Sequence, residues 1–136
     1  MSNIEGGCLC GAIRYSGEAE PVATVVCHCT DCQKHSGGAC SINVLLPKES
    51  LQFAGELGSY IAKGDSGNEV NRHFCRKCGS AIYNLPAVLG DMLVLKAGTL
   101  DDVSWVKPTV EIYCDSAQEW AKLAEGVESF PGMMPG

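Results

Sequence analysis

The sequence predicts a mainly β fold with one or two short helices. Short apolar runs rich in β-branched residues recur along its 136 residues, each bounded by glycine, proline or other turn formers. Two stretches, opened by Thr30 and by Ser116, read as short helices, and both leave room for a few turns at most. Seven of the nine cysteines fall into three tight clusters, a pattern that suits metal ligation better than packing. The length predicts one domain spanning residues 1–136, with a modest core.

Gly6-Gly7-Cys8-Leu9-Cys10-Gly11 is a C-x-C between glycines, which permit the sharp backbone that two converging sulfurs need. Residues 12–16 read as a strand with Ile13 and Tyr15 on one face, and 17–21 as a turn. The β-branched run 22–26 leads into Cys27-His28-Cys29-Thr30-Asp31-Cys32. Thr30 followed by Gln33 is a capping box, predicting a short helix from Asp31 that stops at Gly37-Gly38. Residues 39–46, 51–53 and 59–62 predict strands, and 63–69 a polar loop. Val70 to Phe74 then enters Cys75-Arg76-Lys77-Cys78-Gly79, a C-x-x-C knuckle. Strands are predicted again at 80–84, 92–97 and 109–113, with a turn at 98–102. Ser116 followed by Glu119 predicts a second short helix through about residue 124, before an irregular tail.

The sulfur spacing carries the chemistry. Thiolates sharing one tetrahedral zinc lie roughly 3.8 Å apart, given Zn–S distances of about 2.3 Å. Cys27 and Cys29, two apart on a strand, have Cβ atoms roughly 6.6 Å apart, so they share an ion only where the backbone kinks. Cys32, in the first turn of the predicted helix, faces free N–H groups and a dipole that favour its thiolate. The economical partition places Cys8, Cys10, Cys75 and Cys78 in a closed, four-sulfur structural zinc site. It leaves Cys27, Cys29 and Cys32 around a second zinc with one position open, the arrangement of a catalytic metal. Spacing alone also permits other pairings of the clusters. Cys40 and Cys114 are left over and read as small buried or filler residues, with Cys40 close enough in sequence to be a spare ligand.

Sixteen acidic residues against ten basic ones argue against a nucleic-acid partner, which needs clustered Lys and Arg. No apolar stretch approaches the ~20 residues of a membrane span. The opening residues lack a basic start and an apolar run, so a cytoplasmic location is expected, where an odd cysteine count favours metal over disulfides.

Four motifs together carry a family resemblance: G-G-C-L-C-G-A-I-R-Y at 6–15, C-H-C-T-D-C-Q-K-H-S-G-G-A at 27–39, F-C-R-K-C-G-S-A-I-Y at 74–83 and K-A-G-T-L-D-D at 96–102. With these the chain resembles the glutathione-dependent formaldehyde-activating enzyme family, which also includes centromere protein V. The resemblance implies a zinc-tied β-tent of small antiparallel sheets and the same partition of the cysteines. It also implies carbon–sulfur lyase chemistry, joining a thiol such as glutathione to formaldehyde as S-hydroxymethylglutathione. Two departures bear on the substrate: the chain is shorter than the fullest glutathione-active relatives, and Glu111 stands where many relatives carry His.

Three thiolates on Zn²⁺ carry a net charge near −1, and such a site can bind a thiol as thiolate or polarise an aldehyde oxygen. Strand alternation points His28 away from its cysteine neighbours, toward a supporting role. His35 lies three residues beyond Cys32 on the same helical face, as a candidate fourth ligand, proton-transfer group or surface residue. Arg72, Arg76 and Lys77 flank the knuckle as exposed charge or as contacts for substrate carboxylates. Trp105, Trp120 and Phe130 are expected in packing. Two non-enzymatic readings stand beside the lyase: a zinc-stabilised protein-binding or chaperone module, and a thiolate sensor of zinc or oxidants. The extra three-cysteine cluster favours the enzyme, since a purely structural module needs no open metal.

Overall fold

The computed structural model describes residues 2–64, 67–121 and 127–135. Among these it contains strands β1 (Ser2–Gly7), β2 (Arg14–Ala19), β3 (Ala23–Cys27), β4 (Ser41–Pro47), β5 (Leu51–Ala54) and β6 (Leu57–Lys63). These are followed by β7 (Glu69–Cys75), β8 (Ala81–Pro86), β9 (Met92–Lys96), β10 (Val110–Ile112) and β11 (Glu128–Ser129). One α-helix, α1 (Thr30–Ser36), is present among the described residues. The fold is mainly β, as expected.

The strands form two sheets. The smaller has the order β1-β2-β5, and the larger the order β11-β10-β3-β4-β9-β8-β7-β6. Pairing is antiparallel except at β10, which runs parallel to both β3 and β11. That parallel seam sets Ile112 beside Cys27, so residues 85 positions apart meet at the end of β3.

Alternation along the strands decides what each face buries. Ile4, Ile13, Tyr15 and Leu51 from the smaller sheet side pack with Val44, Leu46, Ile82, Leu93 and Leu95 of the larger sheet in one core. Each fully buried aliphatic side chain there contributes about 1.5–3 kcal/mol. Val25, Leu45, Val94, Val110 and Ile112 form a second apolar cluster with Cys27 and Cys32 on the other side. Strands β4 and β9 are therefore buried on both faces, which is why Val44-Leu45-Leu46 and Leu93-Val94-Leu95 read as unbroken apolar runs.

Three expectations are corrected. Strand β2 continues through Gly17, where a turn is predicted; a Cβ at Gly17 would fall 1.9 Å from the Ser50 carbonyl oxygen, so glycine here admits close approach of the chain entering β5. The helix after the central cysteines forms, with Gly37 in the left-handed conformation at its end (φ 71), but its N-cap is Cys29 rather than Thr30. The helix predicted from Ser116 does not begin there: Cys114–Ser116 make a single 3-10 turn and Ala117 is extended. The segment is instead held to α1, since Gln33 donates to the Ser116 carbonyl and accepts from the Gln118 amide. The rest of that predicted helix, residues 122–126, lies outside the described residues. Strand β1, polar and glycine-rich, carried no strand signal and exists through its six-residue pairing with β2.

Candidate functional site

The two cysteine groups separate as the spacing suggests. Cys8, Cys10, Cys75 and Cys78 bring their sulfurs within 4.8 Å of one another, as do Cys27, Cys29 and Cys32. In the four-sulfur group, Cys8 and Cys10 are 3.6 Å apart and Cys10 and Cys75 are 3.8 Å apart. These are the separations a tetrahedral thiolate metal requires. Backbone geometry is already committed to anionic sulfur. The N–H of Ile13 donates to Cys8 Sγ (3.2 Å), and those of Lys77 and Cys78 donate to Cys75 Sγ (both 3.4 Å). The Ser80 hydroxyl beside Cys78, 3.2 Å away, is the main cause that lowers that thiol to about 5.

The three-sulfur group is built by a strand end and a helix start. Cys27 closes β3, Cys29 is the N-cap of α1, and its Sγ accepts the Cys32 N–H at 3.2 Å. The cap supplies the kink that a regular strand would deny the Cys27/Cys29 pair. Cys27 and Cys32 are buried and Cys29 is half-buried. The neighbouring Cys27 thiol, then Cys32, hydrogen-bond to Cys29 and hold it far below the ordinary thiol range; the positive charge of Arg72 acts in the same direction. The same crowding pushes Cys27 up, through Cys29 first. Three sulfurs with no fourth donor grouped with them among the described residues suit a metal with one position open to a ligand.

That open side faces a cavity of about 300 Å³. Its wall is largely apolar, with Leu45, Val94, Ile112, Leu89 and Met134 among the lining residues, and Asn43, Asn84 and Arg72 are among the polar residues that line it with the sulfurs. Arg72, read from the sequence as exposed charge, is 6% exposed and points into this cavity from β7. Lys96 is buried beside the site, donating to Ser41 Oγ at 2.7 Å and Asn43 Oδ1 at 3.1 Å. With the Asn84 amide turned so that its oxygen faces Lys96, a third acceptor lies 3.2 Å from Nζ. Burial lowers the Lys96 ammonium, and the charge of Cys32 opposes that.

His28 lies on the reverse side of β3, fully buried, with Nε2 bonded to Glu111 Oε1 at 2.8 Å. Ser129 donates to the other carboxylate oxygen at 3.2 Å, and Gln33 Nε2 donates to the His28 carbonyl at 2.7 Å. This network holds the backbone between Cys27 and Cys29, in keeping with the supporting role expected of His28. Cys114, expected to be a filler, lies within 4.8 Å of His28 and Glu111. His35 does not line the cavity and is not grouped with the three sulfurs. It is partly buried, which lowers its imidazolium. Trp120, expected in packing, is 74% exposed, whereas Trp105 and Phe130 do pack against the two cores.

A β fold stapled by one closed sulfur cluster, with a second, open cluster at the floor of a cavity, defines the class. The chain belongs to the glutathione-dependent formaldehyde-activating enzyme family, whose model matches residues 3–116. It is 25% identical over 126 residues to a protein of Halomonas elongata that carries the provisional name of glutathione-dependent formaldehyde-activating enzyme; the match covers 88% of this chain and 80% of the relative. It is 29% identical over 83 residues to an uncharacterised lyase of Schizosaccharomyces pombe, covering 61% of this chain and 58% of the relative. A crystal structure of a Rhodobacter sphaeroides protein shares the fold, with TM-score 0.60 and 21% identity, over 74% of this chain and 91% of that one. No described helix is long and apolar enough to cross a membrane.

Proposed function

We propose that the chain is a single-domain, zinc-dependent carbon–sulfur lyase that joins a thiol to an aldehyde or releases them. The pair named by its family, glutathione and formaldehyde, is the first to consider. The open three-sulfur cluster at the cavity floor carries this reading, because a cluster serving stability alone would be closed by a fourth ligand. Cys8, Cys10, Cys75 and Cys78 hold a structural zinc, and Cys27, Cys29 and Cys32 hold the catalytic one. When bound there, zinc supplies a thiolate at neutral pH and a Lewis acid for a carbonyl oxygen.

The chain's own residues do the rest. In the forward direction the thiol sulfur bonds to the carbonyl carbon, the C=O π pair moves to oxygen, and the proton lost by the thiol is taken up there. Arg72 and Lys96 are themselves buried, so their charges act on the site with less screening than surface charges would. Those two cations oppose the net negative charge of a three-thiolate metal and admit an anionic ligand to it. His35, outside the cavity, has no direct step.

The test is NMR exchange between formaldehyde, glutathione and their adduct, with zinc-loaded protein and with Cys29→Ser. Exchange accelerated by the wild type and not by the variant supports the reading. Exchange no faster than buffer overturns this substrate pair.

A further inference from the structure

Arg72 has no partner that explains its burial. The residue as a whole is 6% exposed, among the described residues it makes no hydrogen bond and no ion pair, and the little surface its nitrogens keep is toward the cavity it lines. A guanidinium has five donors, and a buried one is ordinarily paired. The cavity's own carboxylates, Asp31 and Glu69, are exposed and form no ion pair with it. The nearby sulfurs feel its charge without bonding to it. The contrast with Lys96 is sharp: equally buried, it has two or three oxygen acceptors.

Placement adds to this. Arg72 and Val70 project from β7 on the same side as Asn84 from β8 and Val94 from β9, the side that lines the cavity. Sulfurs and guanidinium therefore share one chamber. A sphere of 300 Å³ is on the order of 8 Å across, at the small end of ligand sites. An occupant that reaches both the open cluster and Arg72 is short, and most of the lining it meets is apolar.

We propose that Arg72 is the carboxylate anchor of the cavity, and that the thiol taken by the open cluster is short, with a carboxylate a few apolar carbons from its sulfur. The fork of the guanidinium accepts a carboxylate in two parallel hydrogen bonds, the pairing for which Arg is better suited than Lys. This rests on the metal–thiol reading above and narrows its substrate class. A free short mercaptocarboxylate and glutathione both offer carboxylates, and the cavity volume favours the former.

The test is calorimetric titration of the zinc-loaded protein with 3-mercaptopropionate, its neutral amide 3-mercaptopropanamide, and glutathione. The acid binds the wild type roughly ten- to a hundredfold more tightly than the amide, as a charge-assisted bond to a buried partner requires. Glutathione binds more weakly than the short acid. Arg72→Gln removes the preference for acid over amide at unchanged zinc content; it weakens the acid about tenfold or more beyond any weakening of the amide, which loses only the charge that Arg72 lends the sulfurs. Arg72→Lys retains the charge and recovers part of the preference, which keeps the test open if the Gln variant folds poorly. Equal binding of acid and amide by the wild type overturns the proposal. Equal weakening of both ligands in Arg72→Gln also overturns it, assigning Arg72 to charge balance for the sulfurs. Tighter binding of glutathione overturns the short-ligand part. If no thiol binds, the metal–thiol reading itself fails. Butyrate then decides Arg72 alone: a shifted Arg72 Nε resonance keeps the anchor, and an unmoved one overturns it.

Discussion

The imidazole of His28 and the carboxylate of Glu111 meet at 2.8 Å on the reverse side of the strand that ends in Cys27. The pair sits 83 residues apart in sequence and is joined by the parallel seam between β3 and β10. The imidazole is completely buried, so its Nε2 depends on Glu111 for a partner, whereas Glu111 also accepts from Ser129.

Glu111→Ala is expected to destabilise the protein by about 1–3 kcal/mol, the range for stranding a buried polar group. It is also expected to hasten loss of metal from the three-cysteine cluster, because His28 sits between Cys27 and Cys29. Urea unfolding and chelator-driven metal release measure the two effects. Unchanged release would mean that the pair braces the sheet and not the cluster.

Removing one sulfur from each cluster should give opposite results. The four-sulfur group ties the end of β1 to the end of β7, and a metal bound there would contribute folding energy directly. Cys75→Ser is expected to lose the cooperative fold. Cys29→Ser is expected to keep its fold and one metal equivalent of the wild type's two. Elemental analysis beside far-ultraviolet circular dichroism reads both.

Tyr15 provides a pH signature. Burial pushes its hydroxyl up to about 12, against an ordinary value of 10. Raised in the folded state, the group contributes stability that is complete below about pH 10 and is lost as pH climbs toward 12. Tyr15→Phe should therefore show a shallower alkaline loss of stability across that window. At neutral pH it should be about 1 kcal/mol less stable, having lost the 2.7 Å bond between the Tyr15 and Thr99 hydroxyls. Parallel alkaline slopes for the two proteins would count against a buried Tyr15.

His35→Ala is expected to leave metal content unchanged and turnover within about twofold, since His35 neither joins the sulfur group nor lines the cavity. A larger loss of turnover at full metal loading would restore His35 as a proton-transfer group. Metal analysis and steady-state rates on the same preparation separate the two.

Much of this arrangement was legible in the residues. Cysteine spacing separated the two clusters, because sulfurs that share an ion obey short, fixed distances. Central strands such as 92–97 announced themselves through unbroken apolar runs. What stayed hidden depended on contacts between distant segments. Arg72 beside a knuckle reads as exposed charge or as a carboxylate contact, and only the pairing of β7 with β8, which sets it opposite Asn84, shows that it lines the cavity. Strand β1 has one buried aliphatic residue, Ile4, and is defined by its partner. The capping shift from Thr30 to Cys29 was invisible because a cysteine sulfur replaced the usual hydroxyl acceptor. Ser116 and Glu119 carried a helix signal, but this segment is tied to α1 through Gln33 and Ala117 is extended.

The two-faced burial of β4 and β9 has a consequence for how such a protein can diversify. Val44 and Leu95 face the core, whereas Leu45 and Val94 line the cavity. Neighbouring codons thus answer to different selective demands, one to persistence of the fold and the next to choice of ligand. A lineage can alter what it accepts at every second position of these strands while the intervening positions hold still, without inserting a loop or adding an element.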